Sequence, residues 1–231
     1  EDWGQCDQEG TNEYLQLLEG FGKEIDDSLN LLTSNQDKCK INPEAIENIQ
    51  SETERLFYYE ELFGSWLQHF QQKMTMTSQE SGRQASEGPH SELVYWRNIL
   101  NESILLIEIT RSRDFQLVRN ALVASPKKPD DSKSNLLSDF KSAESQLTER
   151  LNEAKDNVKY LSTLEKLIEP LYSGTPEDII ENLPGLMNSI KMIHTISRYY
   201  NTSSRMTLLF SKITYQMIQN CKIKIIGGER I

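Results

Sequence analysis

The residues able to do chemistry are few and scattered. Three histidines occur, His69, His90 and His194, and no His-Glu-x-x-His pair is available to seat zinc on one helical face. A di-iron bundle needs inward carboxylates with Glu-x-x-His on its helices. The one such spacing here, Glu87 to His90, runs across Gly88-Pro89 and cannot lie on a single helical face. His194 stands among Met192, Ile193 and Ile196, the setting of a partly buried, hydrogen-bonded histidine rather than of a ligand. Cys6, Cys39 and Cys221 have no Cys-x-x-Cys spacing and cannot build a disulfide framework, which predicts a reducing compartment. Cys221 reads as a small filler near the end of an apolar helix, whereas Cys6 and Cys39 lie in polar segments where oxidation is open to them. No Gly-rich phosphate loop is present, and Gly227-Gly228 opens no helix. Carboxylates are plentiful, but none falls in a recognisable acid–base pair. The Asn-x-Ser/Thr sites at Asn101 and Asn201 read as chance. The sequence therefore predicts no catalytic, no cofactor-binding and no metal residues, and no enzyme activity in this chain.

A different chemistry, recognition, is suggested by the aromatic sets. Phe57, Tyr58, Tyr59, Phe63, Trp66 and Phe70 cover more than one face of a helix. Some of these rings must be exposed or meet another surface, as Tyr and Trp do at partner interfaces. The competing reading is the core of a larger bundle. Tyr199-Tyr200 is either a helix end closed by packing or a contact point.

The elements that must position these residues are helical. The chain has 231 residues, 37% of them apolar, enough for one large domain or two small ones. With 11 Gly and 7 Pro it is poor in the turn residues of small-stranded folds. No apolar run approaches the roughly 20 residues needed to span a bilayer. The net charge of −10 is uneven: residues 1–90 carry 18 acidic and 6 basic side chains, and the remainder is nearly neutral. There is no basic footprint for nucleic acid or anionic membrane. The first residue is Glu1, not Met, which suggests a piece of a longer protein or a processed chain.

Tyr14, Leu17, Leu18, Phe21, Ile25, Leu29 and Leu32 fall on one helical face, and residues 46–70 supply a second helix, so the two read as an antiparallel hairpin. Asn42-Pro43-Glu44 is the start signal of that second helix. Residues 75–89 read as a linker and place a domain boundary, giving an acidic helical segment at 1–87 and a bundle region at 88–231. Leu93, Trp96, Leu100, Ile104 and Ile107 form the stripe of the next helix, followed by a short helix at 115–124. Residues 134–172 predict one long helix with Phe140, Leu147, Ala154, Leu161 and Ile168 in heptad spacing and Leu151 and Val158 on the other seam. Ala143 and Leu164 sit one residue ahead of Glu144 and Glu165, so the stripe drifts. Thr175-Pro176-Glu177-Asp178 opens another helix, with Pro184 expected to kink or end it. Met206, Leu209, Phe210, Ile213, Met217 and Ile218 mark the last. The fold class is all-α: antiparallel helical bundles with one long helix, an elongated architecture.

Three ordered blocks resemble a known family. Gly88-Pro89-His90-Ser91-Glu92-Leu93-Val94-Tyr95-Trp96-Arg97 is similar to the opening of the first tail region of dynein heavy chains. Glu153-Ala154-Lys155-Asp156-Asn157-Val158-Lys159-Tyr160-Leu161, with Thr163-Leu164-Glu165 and Glu169-Pro170-Leu171-Tyr172, resembles its second block. Met192-Ile193-His194-Thr195-Ile196-Ser197-Arg198-Tyr199-Tyr200-Asn201-Thr202 and Arg205-Met206-Thr207 resemble its third. The blocks cover about residues 88–222 and are nearest to axonemal heavy chains. Ser204 stands where the family usually has an acid, and Lys222-Ile223-Lys224-Ile225-Ile226 departs from the family's pattern.

The resemblance implies a non-catalytic tail segment of an ATP-driven microtubule motor, with ATP and magnesium bound elsewhere in the parent chain. It implies partners among other heavy chains, intermediate chains, light chains and docking proteins on the doublet microtubule. It implies residence in the axoneme of a cilium or flagellum, within the cytoplasm and cytoskeleton. The alternative is a generic helical scaffold or tether outside the dynein family.

Overall fold

The computed structural model describes residues 15, 18–23, 25–26, 39–77, 84–125 and 132–226. Besides the helical residues 15, 18–23, 25 and 26, nine α-helices and no strand lie among them: α1 (Pro43–Glu47), α2 (Glu52–Thr77), α3 (His90–Arg111), α4 (Arg113–Ala124), α5 (Ser132–Ser162), α6 (Glu165–Ile168), α7 (Pro170–Ser173), α8 (Pro176–Ile196) and α9 (Ser203–Ile226). One turn of 3-10 helix, Ala85–Glu87, precedes α3. The all-α class stands. Two compact units divide the chain: Glu1–Trp66 with Glu108–Lys127, and Leu67–Ile107 with Lys128–Ile231.

In the first unit, Asn42 caps α1 through its Oδ1, which accepts the Glu44 N–H at 3.1 Å. The expected single helix to Phe70 breaks after Glu47, and α2 starts afresh at Glu52. Ser51-x-x-Glu54 is itself a helix-start signature, hidden in the sequence by unbroken apolar spacing on both sides. Tyr59, Phe63 and Trp66 of α2 are buried, as are Phe115, Val118 and Leu122 of α4. Phe115 lies 5.5 Å from Phe63 and 5.3 Å from Trp66, the latter nearly parallel at 20°. Ser112 caps α4, its hydroxyl accepting the Phe115 N–H. The expected hairpin of residues 14–32 with 46–70 is not supported where it can be followed. Residues 15, 18–23, 25 and 26 are helical, but Leu15, Leu18, Phe21 and Ile25 are about half exposed or more. Tyr14, Leu17, Leu29 and Leu32 lie outside the described residues.

The second unit holds the larger core. Phe140, Leu147, Ala154, Leu161 and Ile168 are all buried, as the heptad spacing predicts. The other seam differs. Leu151 and Val158 are half-buried, and the inward positions are Ala143, Arg150, Asn157 and Leu164, one residue earlier in each heptad. Two polar side chains thus occupy a seam that hydrophobicity alone assigns to their neighbours.

The long helix does not continue to Tyr172. It ends at Ser162, and the Thr163 and Leu164 N–H groups bond back three residues to Tyr160 and Leu161. Thr163 Oγ1 also donates to the Tyr160 carbonyl, offering the backbone an alternative to helix. In α3 the buried stripe is Leu93, Trp96, Ile99, Ser103 and Leu106; Leu100 and Ile107 are half-buried and Ile104 is exposed. That segment is apolar on several faces, so spacing alone does not choose among them.

α8 opens with a reciprocal cap: Thr175 Oγ1 accepts the Asp178 N–H, and Asp178 Oδ2 accepts the Thr175 N–H. It runs through Pro184 without ending. Ile180, whose carbonyl Pro184 leaves without its helical partner, is on the exposed side with it, so water can take that bond.

Candidate functional site

The most distinctive site is a buried polar junction in the second unit. It begins with glycine. Gly88 has φ of +73°, a conformation that side chains with a Cβ rarely adopt. A Cβ there would sit 2.9 Å from Tyr172 Oη and 3.0 Å from Gln216 Oε1. The turn launches α3, whose His90 N–H donates to Tyr172 Oη at 3.1 Å. Burial pushes the Tyr172 phenol above its usual range.

One turn into α3, Glu92 points inward and is 1% exposed. It meets Lys212 of α9, also 1% exposed, with Nζ 3.1 Å from Glu92 Oε1. Lys212 further donates to Glu87 Oε2 at 3.0 Å and to Ser91 Oγ at 2.6 Å. A buried ammonium is costly unless paired, and this one has two carboxylates and a hydroxyl. The Lys212 hydrogen bond holds the Glu87 carboxyl below the usual carboxylate range, against a smaller opposing effect of burial.

The second oxygen of Glu92 accepts the Tyr200 hydroxyl at 2.5 Å, and that hydroxyl accepts Trp96 Nε1–H at 2.9 Å. Tyr199 packs edge-on to Trp96 at 4.7 Å, and the Arg205 guanidinium lies 4.0 Å over the Tyr199 ring. Ser197, at the end of α8, donates to Asn157 Oδ1 of α5 and accepts the Tyr200 N–H. A further clamp lies along α9. Asn220 is buried, and its amide donates to the carbonyls of Pro170 and Gly174, which close α7.

This arrangement binds helices to one another. It offers paired charges and satisfied hydroxyls, with no nucleophile held by a base. Among the described residues no three His, Cys, Asp or Glu side chains converge as a metal site would require, and no helix is long and apolar enough to cross a membrane.

The residues singled out in the sequence fall as follows. Tyr199 and Tyr200 are buried, so the reading of a helix end closed by packing holds and the contact-point reading does not. Of the α2 aromatics, Tyr59, Phe63, Trp66 and Phe70 are core, Tyr58 is half-buried, and Phe57 is 62% exposed. His194 is exposed, contrary to the partly buried setting its apolar neighbours suggested: Met192 and Ile196 are exposed beside it, and of the three only Ile193 is buried. Cys39 is buried rather than open to oxidation, Cys221 is half-buried, and Cys6 lies outside the described residues. Glu92 and Lys212 were not singled out as functional. Their signal is spacing: Glu92 lies four residues before Trp96, and Lys212 three after Leu209, each a charge on a buried stripe.

The junction draws together all three blocks of the family resemblance. Residues 57–231 match the family described as dynein heavy chain, N-terminal region 1. The family region thus begins some thirty residues before the blocks read from the sequence, within α2. Dynein axonemal heavy chain 5 of Rattus norvegicus is 36% identical over 247 residues, 96% of this chain. Dynein axonemal heavy chain 8 of Homo sapiens is 33% identical over 95% of this chain. The dynein gamma chain of the flagellar outer arm of Chlamydomonas reinhardtii is 29% identical over 99% of it. The chain spans 7%, 5% and 5% of the length of these relatives. A helical scaffold outside dynein is thereby set aside: the chain belongs to the dynein heavy chain family and corresponds to its N-terminal tail region, outside the motor, with axonemal heavy chains among its relatives.

Proposed function

We propose that this segment is an assembly module of an axonemal dynein heavy chain. It joins other heavy chains and the intermediate and light chains, and helps anchor the motor to the doublet microtubule of a cilium or flagellum. ATP and magnesium chemistry belongs to the parent motor. The acidic surface of residues 1–87 serves as a solvated or partner-facing region, while Tyr59, Phe63, Trp66 and Phe70 of the same stretch are buried as core. The observation that carries the reading is the convergence of three family blocks on one buried charge network. A tail must transmit force without unfolding, and helices locked by many buried contacts spread that load.

The test is affinity capture with this chain from a detergent-free axonemal extract, read by mass spectrometry. Recovery of intermediate chains, light chains or a second heavy chain is expected, with loss on Lys212→Met. Equal recovery by wild type and an unrelated helical bundle of the same charge would overturn the reading.

A further inference from the structure

Seven prolines occur in the chain, and two of them follow a hydroxyl side chain, at Ser125-Pro126 and Thr175-Pro176. The two sites differ in what comes next. Ser125-Pro126-Lys127-Lys128 has a cation three residues after the hydroxyl, whereas Thr175-Pro176-Glu177-Asp178 has an acid there. They differ also in what holds the hydroxyl. Thr175 Oγ1 accepts the Asp178 N–H and donates to Asp178 Oδ2, inside the cap of α8. Ser125 closes α4 through its backbone instead, its N–H donating to the Ala121 carbonyl at 3.1 Å. Its φ of −65° and ψ of 132° are extended, as the residue before a proline requires. It is half-buried and lines a cavity of about 370 Å³ between the start of α2 and the end of α4, both in the first unit.

This is a pattern that a protein kinase reads. Phosphoryl transfer needs the substrate hydroxyl in line with the γ-phosphate of ATP, and extended backbone leaves main-chain groups free for the enzyme to grip. The proline that follows has no N–H, so it suits a pocket without an acceptor, where any other residue would strand a donor. A cation at the third position answers acidic groups of the enzyme, the charge pattern by which kinases select substrates. Pro126, Lys127 and Lys128 lie outside the described residues and contribute their sequence alone. The cavity also provides for the product. Arg55 of α2 lines it and is exposed, with Glu52 one turn earlier. A phosphate at the C-terminal end of α4 meets the negative pole of that helix. It therefore needs a cation, and a guanidinium can bond two phosphate oxygens at once.

We propose that Ser125 is a phosphorylation site for a proline-directed protein kinase, and that Arg55 holds the phosphate. Ser125 Oγ attacks the γ-phosphorus of ATP, the bond from that phosphorus to the ADP oxygen breaks, and ADP leaves. The hydroxyl proton passes to a carboxylate of the kinase. The modification adds a charge of about −1.5 to −2 and ties the start of α2 to the end of α4. It does not depend on which partners the segment joins.

The experiment incubates the intact chain with magnesium, ATP and a cyclin-dependent kinase, a class that requires proline next to the hydroxyl and prefers a base two places further on. Tandem mass spectrometry locates the product. One phosphoryl group at Ser125 is expected, none at Thr175, and none in Ser125→Ala. Pro126→Ala and Lys128→Glu should each lower kcat/KM by about tenfold or more, the scale of one unpaired group. No incorporation, incorporation elsewhere only, or rates unchanged in both variants would overturn the assignment. So would modification of a peptide spanning residues 119–131 with none of the intact chain, since the fold would then withhold Ser125. Phosphorus NMR of the modified chain tests the second half. Arg55→Gln should raise the second pKa of the phosphate, because a neighbouring cation favours the dianion, while Lys127 and Lys128 are the same in both samples. An unchanged titration would remove Arg55 as the phosphate's partner.

Discussion

Lys212 Nζ stands 3.1 Å from Glu92 Oε1, and both side chains are 1% exposed. Removing one member strands the other charge, at a cost of about 3–5 kcal/mol. Lys212→Met should therefore lower the urea midpoint sharply, whereas Lys212→Met with Glu92→Gln should recover a measurable part of the loss. Equal destabilisation in the single and double variants would show that packing, not charge, sets the cost.

Gly88 is constrained twice, by φ of +73° and by Tyr172 Oη at 2.9 Å from any added Cβ. Gly88→Ala should destabilise by at least about 1–2 kcal/mol, the order of the left-handed backbone penalty. Tyr172→Phe in the Gly88→Ala background removes the oxygen but not the strain, so recovery should be partial. Thermal melts of these two variants, beside Tyr172→Phe alone, decide this.

Glu87 carries the pH dependence most plainly. Lys212 holds its folded pKa below the ordinary value of 4.5. The linked stability is therefore present above the unfolded pKa and lost as pH falls through the lower folded one. Asp178, lowered chiefly by the Thr175 backbone N–H, acts in the same direction. Glu87→Gln should flatten the acid limb of a stability–pH curve below about pH 4.5 and leave its slope near neutrality unchanged.

Leu161 is 3% exposed in the heptad seam. Leu161→Ala should cost about 2–5 kcal/mol and weaken partner capture. Ile180→Ala, at a position 69% exposed, is the matched control and should melt within error of wild type. A wild-type melt for Leu161→Ala would remove that residue from the core.

How far the sequence could be read depended on whether hydrophobicity identified the face. It did for Phe140, Leu147, Ala154, Leu161 and Ile168, whose repeat has one apolar solution. It failed one residue away, where Leu151 and Val158 looked inward and Arg150 and Asn157 are inward instead. Those two are held by a carbonyl and a hydroxyl from other helices, partners separated by 76 and 40 residues that spacing cannot reveal. The break at Ser162 was missed for a similar reason, since Thr163 and Leu164 fit the apolar pattern while their hydrogen bonds turn the chain. Pro184 erred the other way: it breaks a local rule at an exposed position where water can satisfy the freed carbonyl. Within the junction, the family blocks marked Glu92, Asn157, Ser197 and Tyr200 without showing that they meet.

The Lys212 ammonium also sets an order of events during synthesis. Its partner Ser91 lies 121 residues earlier and Glu87 lies 125 residues earlier. While a ribosome is still making α5 to α8, the first turn of α3 holds an acidic group whose counter-charge does not yet exist. The junction can close only after α9 emerges, so a nascent chain stalled before Lys212 carries an uncompensated carboxylate beside an unfinished apolar core. Such a product is open to chaperones and proteases, whereas the finished chain withdraws that surface from them.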